Sequence, residues 1–519
     1  MNMKTTEQSA NEVVEKVTSQ LGGISLDWNI KRRPDGEYIV FESASPSAKI
    51  IAACNMVNER LEDSCTFKDK LITGKRKVKP ASRLSLPETK LFRREISESL
   101  TVDKNTFGPE FLERYTPSVS NFEEIVVSNS NCIVFGRRGA GKSSLLGYSM
   151  HQLRRTDGQY AWVAMQTYNG RKDFHSIPSI LIEIIQQLKA NGANASDADE
   201  ISAKFGDIAE SETSNAKTQA RTLKLIPKLR ALISTIASPK RAFTIFIDDL
   251  HLLDRALQPH LLSALYACTR GNSSYIKASG IEQLCNLWNA AEQTGLQAPH
   301  DGQILRLDYN LTMPHKSLEH IEGILDAHAK YCGLPGIRYL IEDAAMARLV
   351  LVAAAVPRDA LSLFSQAIAK ALVKSQKMVT VTAVNTAASE AAQIKMQDIQ
   401  SDIPSGDDSL TELLDRVKTF CISNKRKNAF LFKIDHSNGD WNAMQKLVAL
   451  RLVHTLHEGI TPSSAGVVYQ ALMLDFGFYV GIRAARSVKI FPADLSQLLA
   501  KDLRRLPVFL PEPKQIDKR

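Results

Sequence analysis

The chain has 519 residues, and 65 Lys and Arg against 56 Asp and Glu give a formal net charge of +9. With 44% hydrophobic and 23% charged residues, its composition excludes wholesale disorder and the fibrous classes. The longest apolar run, residues 349–356, is far shorter than the roughly 20 residues of a membrane helix, the N-terminus lacks a secretory apolar region, and the seven cysteines show no CxxC spacing. We therefore expect a cytoplasmic protein with reduced thiols and no membrane partner.

Residues 1–104 are predicted to be an N-terminal leader with a helix at 11–21, a strand at 37–41 and a helix at 48–61. Its segment 68–94 holds ten basic and two acidic residues, so a local charge of +8 is nearly the whole net excess. Such a segment can neutralise DNA or RNA phosphates by counterion release, or it can be a solvated linker. Its densest cluster is Lys75, Arg76 and Lys77.

From residue 105 to 314 the pattern favours an α/β domain. Short β-branched or aromatic runs alternate with helical segments, which is typical of a parallel sheet with crossover helices. Residues 190–219, rich in Ala, Asn, Ser and Asp, are predicted to be an exposed insertion. The five predicted strands are residues 131–135, 161–166, 243–247, 275–278 and 304–307.

Helical patterns dominate residues 315–400, and Pro404 and Gly406 favour a linker at 402–408. Beyond it, helices at 410–421 and 441–457 and a hairpin at 467–480 predict a small helical domain with a β wing over 409–519. His454 and His457, three residues apart and without a third ligand of suitable spacing, are interpreted as a surface pair on a helix and not as a metal site.

The strongest local signal is the sequence Gly-Arg-Arg-Gly-Ala-Gly-Lys-Ser at 136–143, which fits GxxxxGK[ST] without a mismatch. Glycines let the backbone curl so that its N–H groups point at phosphate oxygens, a lysine reaches the β and γ phosphates, and a serine hydroxyl binds Mg²⁺. The predicted ligands are therefore ATP and Mg²⁺. The predicted nucleotide-binding residues are Gly136, Arg137, Arg138, Gly139, Ala140, Gly141, Lys142, Ser143 and Ser144, although Arg137 and Arg138 can equally face solvent.

A second signal is the apolar strand at 243–247, followed by Asp248 and Asp249. The carboxyl edge of a parallel sheet is where α/β ligands bind. We expect Asp248 to join Ser143 in binding magnesium, through a water, and Asp249 to polarise the attacking water. Acidic residues after a strand also serve as helix caps, and capping is the alternative interpretation of Asp248 and Asp249 when they are considered without the glycine-rich motif.

With these two motifs, the Walker A and Walker B sequences, residues 105–400 resemble the AAA+ P-loop ATPases, in particular their origin-recognition and replication-initiator branch. The signalling STAND ATPases are similar. The resemblance implies a strand order of 5-1-4-3-2, a helical lid over the nucleotide and a C-terminal winged-helix-like domain that binds DNA. Asp249 stands where many AAA+ members have Glu, so the resemblance implies slow turnover.

The resemblance also suggests sensor residues. Arg358, after Pro357, is similar to the sensor-2 arginine that contacts the γ-phosphate, with a solvated arginine as the alternative. Ser279 is the best candidate for sensor 1 and Lys277 the second. Residues 290–303, the expected helix before the fifth strand, hold no arginine; the nearest candidates for an arginine finger, Arg270 and Arg306, are better interpreted as structural.

The leading hypothesis is an origin-recognition-type AAA+ ATPase that hydrolyses ATP slowly, acts as a nucleotide-dependent switch and engages DNA through segment 68–94 and the C-terminal domain. The alternative is a STAND-like signalling or antiphage-defence ATPase whose ATP-controlled assembly acts on a protein partner. A third hypothesis is a scaffold protein that binds the nucleotide without hydrolysing it. A homo-oligomer is expected.

Overall fold

The computed structural model divides into two compact units. We call residues 102–308 the motif unit, and residues 1–101 together with 309–519 the flanking unit. The structure describes residues 3–77, 82–102, 106–108, 110–307, 311, 313–402, 409–435, 437–461, 466–480, 488–491 and 499–510. The predicted linker at 402–408 lies almost wholly outside these ranges.

The N-terminal part of the flanking unit combines helices with a three-stranded sheet of order β1-β2-β3, in which β2 pairs antiparallel with β1 and parallel with β3. The predicted leader helices and strand are present. The elements are α1 (Met3–Gln20), β1 (Asp27–Arg33), β2 (Gly36–Ser43), α2 (Ala48–Glu59), β3 (Leu71–Lys75) and α3 (Pro87–Glu98).

The basic segment 68–94 is largely folded, because β3 and most of α3 lie within it. The Arg76 guanidinium bonds Asp27 and Glu88, each at 2.8 Å, and its side chain is 8% exposed. Arg76 therefore serves the fold and does not present its charge to a ligand. Residues 78–81 of the segment lie outside the described residues.

The motif unit is an α/β layer structure in which the five predicted strands all form. Its elements are α4 (Phe111–Arg114), α5 (Glu123–Val127), β4 (Cys132–Phe135), α6 (Lys142–Arg155), β5 (Gln159–Ala164), α7 (Ser176–Ala190), α8 (Ala195–Ala209), α9 (Asn215–Ile236), β6 (Phe243–Asp248), α10 (Gln258–Thr269), β7 (Ser274–Gly280), β8 (Trp288–Asn289), β9 (Thr294–Gly295) and β10 (Gln303–Arg306).

The central sheet is parallel throughout and has the order β10-β4-β7-β6-β5. Counted along the chain this is 5-1-4-3-2, so the predicted order is confirmed. Every residue of β4 and β6 is buried, which is why both strands appear in the sequence as continuous apolar runs. Because parallel strands end at one edge, this order brings the residues that follow β4, β6 and β7 together.

The prediction of an exposed insertion at 190–219 is wrong. Residues 195–209 form α8, which buries Ala198, Ile201, Phe205 and Ile208 in the same apolar core as α7 and α9. These four residues recur at helical spacing and so share one face. The polar residues around them make this apolar stripe hard to recognise in the sequence.

The segment between β7 and β10 also differs from expectation. No helix forms at 290–303, where all residues are described; β8 and β9 make a short antiparallel hairpin instead. A helix that could carry an arginine finger is therefore not present in this stretch.

In the rest of the flanking unit, the chain first forms four helices, as predicted for residues 315–400. A region that mixes helices and strands comes after them. None of the described helices has the length and apolarity to span a membrane. The elements are α11 (Pro314–Tyr331), α12 (Asp343–Val352), α13 (Pro357–Val373), α14 (Val381–Asp402), α15 (Ser409–Thr419), β11 (Ala429–Lys433), α16 (Gly439–Ala449), β12 (Val453–Ile460), β13 (Tyr469–Leu474), α17 (Ala500–Arg504) and β14 (Val508–Phe509).

The C-terminal region contains helices and a β hairpin, as predicted, but the hairpin is made by β12 and β13 within a four-stranded sheet of order β12-β13-β11-β14. The predicted helix at 441–457 ends at Ala449, and its last residues belong to β12. The interpretation of His454 and His457 as a helical surface pair is therefore wrong. His454 is buried, with its Nε2 2.9 Å from Asp475 Oδ2. No cluster of three metal-ligating side chains occurs among the described residues.

Candidate nucleotide site

The loop between β4 and α6 has the conformation that its glycines allow. Gly139 (φ 85°) and Gly141 (φ 94°) are left-handed, a region in which side-chain-bearing residues are strained. At Gly136 a Cβ atom would lie 3.2 Å from the Leu307 Cβ and 3.3 Å from the Ala140 Cβ, so close packing also favours glycine there. The curled backbone leads directly into the N-terminus of α6, whose free amide groups attract anions.

Lys142 is the first residue of α6, and its side chain folds back over the loop. Its Nζ donates a 3.2 Å hydrogen bond to the Arg137 carbonyl, and the residue is only 5% exposed. Arg138 is exposed, whereas Arg137 and Ser144 are half-buried. A buried ammonium beside a curled loop is a strong attractor for phosphate oxygens.

Two side chains from the two sequence motifs meet directly. Ser143 Oγ donates a 3.0 Å hydrogen bond to Asp248 Oδ1, although the residues are 105 positions apart. Asp248 is the last residue of β6, which lies two strands from β4 in the sheet, and it is 8% exposed. The predicted pair of magnesium-binding side chains is thus brought together.

Ser279, near the end of β7, joins the same cluster. It is fully buried, and its Oγ donates a 2.6 Å hydrogen bond to Asp248 Oδ1. The amide of Asp249 donates to the same hydroxyl at 2.9 Å. One serine therefore contacts both carboxylate residues that follow β6.

The carboxyl of Asp248 is held in an environment that disfavours its charge. Burial raises its pKa, and the neighbouring charge of Asp249 raises it further. Hydrogen bonds from Ser279 and Ser143 and the charge of Lys142 act in the opposite direction. A divalent cation at this carboxylate would relieve the penalty, because it favours the ionised form.

Asp249 differs from Asp248 in exposure and backbone. Its φ of 57° places it in the left-handed region, and its side chain is 40% exposed. The turn therefore directs Asp249 away from the buried cluster, toward solvent at the sheet edge. A carboxylate in that position can contact a water molecule.

His251 also lies beside Asp249, although neither sequence motif indicates it. Its side chain is 11% exposed, and its Nδ1 lies 3.8 Å from Asp249 Oδ1. Burial lowers its pKa to about 4; the charge of Asp249 opposes this effect and those of Lys142 and Arg138 add to it. The only signal in the sequence was a histidine two positions after Asp249, which by itself does not indicate a function.

Lys277, Arg358, Arg306 and Arg270 complete the set of residues that the sequence singles out. Lys277 is buried, and its Nζ donates to the carbonyls of Ser128 and Ser130 at 2.9 and 3.2 Å, at the opposite end of the sheet from Asp248. Arg358 is the second residue of α13, in the flanking unit. Arg306 makes a two-pronged ion pair with Glu282 at 2.8 and 2.6 Å, and Arg270 packs over the Tyr266 ring.

The residues present fit a nucleoside triphosphate with a divalent cation. The left-handed glycines and the start of α6 direct amide groups at one place, Lys142 supplies a cation, and a hydroxyl and a carboxylate lie 3.0 Å apart. Oxygen donors of this kind suit Mg²⁺, which keeps several waters and takes few protein ligands.

Comparison with known proteins is consistent with this geometry. Residues 122–276 match the family model described as AAA ATPase domain. The match begins just before α5 and ends within β7, so it contains both motifs. No curated protein sequence matches the chain.

Solved structures include distant likenesses to this chain. The chain is 15% identical to a chain of Drosophila ORC bound to DNA (TM-score 0.38; 83% of this chain and 96% of that chain covered). It is 14% identical to Aeropyrum pernix ORC1 in complex with DNA (TM-score 0.37; 72% and 93%) and 14% identical to the Thermotoga maritima RuvB Holliday junction branch migration motor (TM-score 0.30; 59% and 76%). These likenesses are too distant to support conclusions about DNA. The family match and the sheet order together identify residues 122–276 as an AAA+ P-loop ATPase domain.

Proposed function

We propose that the chain binds ATP with Mg²⁺ at this site, hydrolyses it slowly, and uses its nucleotide state as a switch. The observation that carries the proposal is the 3.0 Å hydrogen bond from Ser143 to Asp248. Two motifs far apart in the sequence supply adjacent oxygen donors beside a buried lysine and a glycine loop. If the match to the glycine motif were accidental, we would not expect its serine to lie beside the acidic residue at the end of β6.

Each residue has a proposed role. The backbone amides of residues 136–144 and Lys142 hold the phosphates, Ser143 and Asp248 hold the cation, and Asp249 orients the attacking water. Bound magnesium would supply charge neutralisation at the phosphates. Asp is one methylene shorter than Glu, so its reach to the water is shorter, and slow turnover suits a switch better than a motor.

Two measurements on the full chain test the proposal: ATP affinity by equilibrium binding, and phosphate release with Mg²⁺ present. The wild type should bind ATP and release phosphate, and Lys142→Ala should lose ATP binding. Lys189→Ala is the control, since Lys189 is an exposed lysine of the same unit that pairs with Asp199 at 2.7 Å. ATP binding by Lys142→Ala with wild-type affinity would contradict the assignment of the loop.

We propose further that DNA is the partner of the flanking unit. Lys75, Lys77 and Lys90 are exposed, and none of them makes an ion pair with a residue that the structure describes. Unpaired lysines on a folded surface are suited to phosphate contact by counterion release. Arg76 does not add to this surface charge, because its guanidinium pairs with Asp27 and Glu88.

A further inference from the structure

His251 lies in a tight turn that begins with Asp249, directly after the end of β6. The turn spans Leu250–Leu252 as a short 3-10 helix, and the left-handed φ of Asp249 starts it. The fold thus places an imidazole beside the most exposed carboxylate of the site. Within the described part of the chain, the Nδ1 of His251 is buried and has no hydrogen-bond partner.

The distance between the two side chains is informative. At 3.8 Å, His251 Nδ1 and Asp249 Oδ1 are too far apart for a direct hydrogen bond. Because this nitrogen has almost no accessible surface, no water fits at hydrogen-bond distance from it, and a side-chain shift of about 1 Å would bring it into direct contact with the carboxylate. A buried ring nitrogen without a partner is rare in proteins, and Asp249 is the acceptor within reach.

Another part of the His251 ring is accessible to solvent. His251 also lines an open cleft of about 310 Å³, together with Asn169, Arg171, Asp254 and Arg255 from the loops that follow β5 and β6. The imidazole therefore lies between the cleft and Asp249. Because the buried ring is neutral near pH 7, it offers one donor and one acceptor without adding charge beside the carboxylate.

We infer that His251 is a positioning residue for hydrolysis: its Nδ1–H orients the Asp249 carboxylate, which holds the attacking water. The inference rests on the proposed ATPase function. In that reaction the water oxygen bonds to the γ-phosphorus, the bond from that phosphorus to the β–γ bridging oxygen breaks, and ADP leaves. One proton of the water passes to Asp249 and then to solvent.

The test compares His251→Ala, His251→Asn and His251→Gln in the full chain, by ATP affinity and by kcat and KM for phosphate release. The Asn amide can occupy the place of Nδ1, whereas the Gln amide reaches toward Nε2. Misplacing a reacting group typically costs up to about a hundredfold in rate. We expect His251→Ala to lower kcat about tenfold to a hundredfold, with ATP affinity and KM within about twofold of wild type, and His251→Asn to restore more activity than His251→Gln.

A double-variant cycle makes the test specific. If His251 acts only through Asp249, His251→Ala in an Asp249→Asn background should slow turnover little beyond Asp249→Asn alone. His260→Asn is the matched control, because His260 is a similarly buried histidine of the same unit, 12% exposed, and should keep wild-type kcat.

Each outcome is decisive. Wild-type hydrolysis with unchanged kcat in His251→Ala, or a full additional loss in the Asp249→Asn background, overturns the inference but leaves the ATPase function standing. A wild-type protein that releases no phosphate overturns both. Should His251→Ala fail to fold, the comparison of His251→Asn with His251→Gln decides, and equal activity in those two variants overturns the role of Nδ1.

Discussion

Ser279 and Asp248 are joined by a 2.6 Å hydrogen bond between neighbouring strands of the sheet, from the serine hydroxyl to the carboxylate Oδ1. The same hydroxyl accepts the Asp249 amide at 2.9 Å. A single buried serine therefore fixes the orientation of one carboxylate and the backbone of the next. This explains how a strained turn and a buried acid are kept in place together.

Ser279→Ala should loosen both the Asp248 carboxylate and the backbone turn at Asp249. We expect a lower kcat for phosphate release with little change in ATP affinity, and a loss of about 1–3 kcal/mol in the free energy of unfolding, because buried groups lose a partner. Turnover and urea denaturation measure the two effects. Ser274→Ala, a buried serine at the other end of β7 whose hydroxyl bonds the Asn272 carbonyl, should leave turnover unchanged. Equal turnover in the two variants would contradict the role of Ser279.

Acidification should destabilise the nucleotide-free protein through His251. Its pKa is lowered by burial to about 4, against about 6.5 in an unfolded chain. As the pH falls, the unfolded chain takes up a proton on this histidine before the folded protein does. The free energy of unfolding is therefore highest above pH 6.5 and falls as the pH drops toward 4. Between pH 7.5 and pH 5 the wild type should lose about 2 kcal/mol relative to His251→Asn, as measured by urea denaturation. Parallel pH curves for the two proteins would contradict the buried neutral imidazole.

Arg76→Gln should destabilise the flanking unit. The substitution leaves the carboxylate of Glu88, a fully buried residue, without its cation, and the remaining hydrogen bond from the Ala44 amide at 2.8 Å does not supply a charge. Breaking a buried pair in this way costs about 3 kcal/mol or more in the free energy of unfolding. The adjacent Lys77→Gln is the control and should stay within about 0.5 kcal/mol of wild type. Equal urea midpoints would show that the ion pair is not formed.

Lys75→Gln combined with Lys77→Gln should weaken DNA binding. Each phosphate contact adds about one to the slope of log affinity against log salt, so the double variant should lower that slope by about two. Binding to duplex DNA over a salt series gives the slope. An unchanged slope would remove these lysines from the interface. No DNA binding at all, together with ATP-dependent oligomers, would favour the signalling alternative.

The parts of the fold that the sequence predicts are those with a local cause. The five strands and the loop at 136–143 follow from apolar runs and glycine spacing, and the strand order followed from the family resemblance. The helix at 195–209 has a local cause too, because Ala198, Ile201, Phe205 and Ile208 have helical spacing, but the polar residues around them are typical of an exposed segment.

Other features depend on distant partners and could not be predicted. The guanidinium of Arg76 pairs with Asp27, which lies 49 positions away in the sequence, and a count of charges does not reveal such a contact. His454 lies on a strand because β12 pairs with β13, and its partner Asp475 comes from beyond that hairpin. His251 becomes part of the site only through the left-handed turn at Asp249.

Asp249→Asn is the most direct test of the central claim, that both motifs form one hydrolytic ATP site. The amide keeps the size of the side chain and removes its capacity to take a proton from water. ATP binding and phosphate release should be measured on the same preparation with Mg²⁺. We expect wild-type ATP affinity and phosphate release slowed by about a hundredfold or more, to a residual rate that is still measurable above background. Wild-type turnover in Asp249→Asn would contradict it.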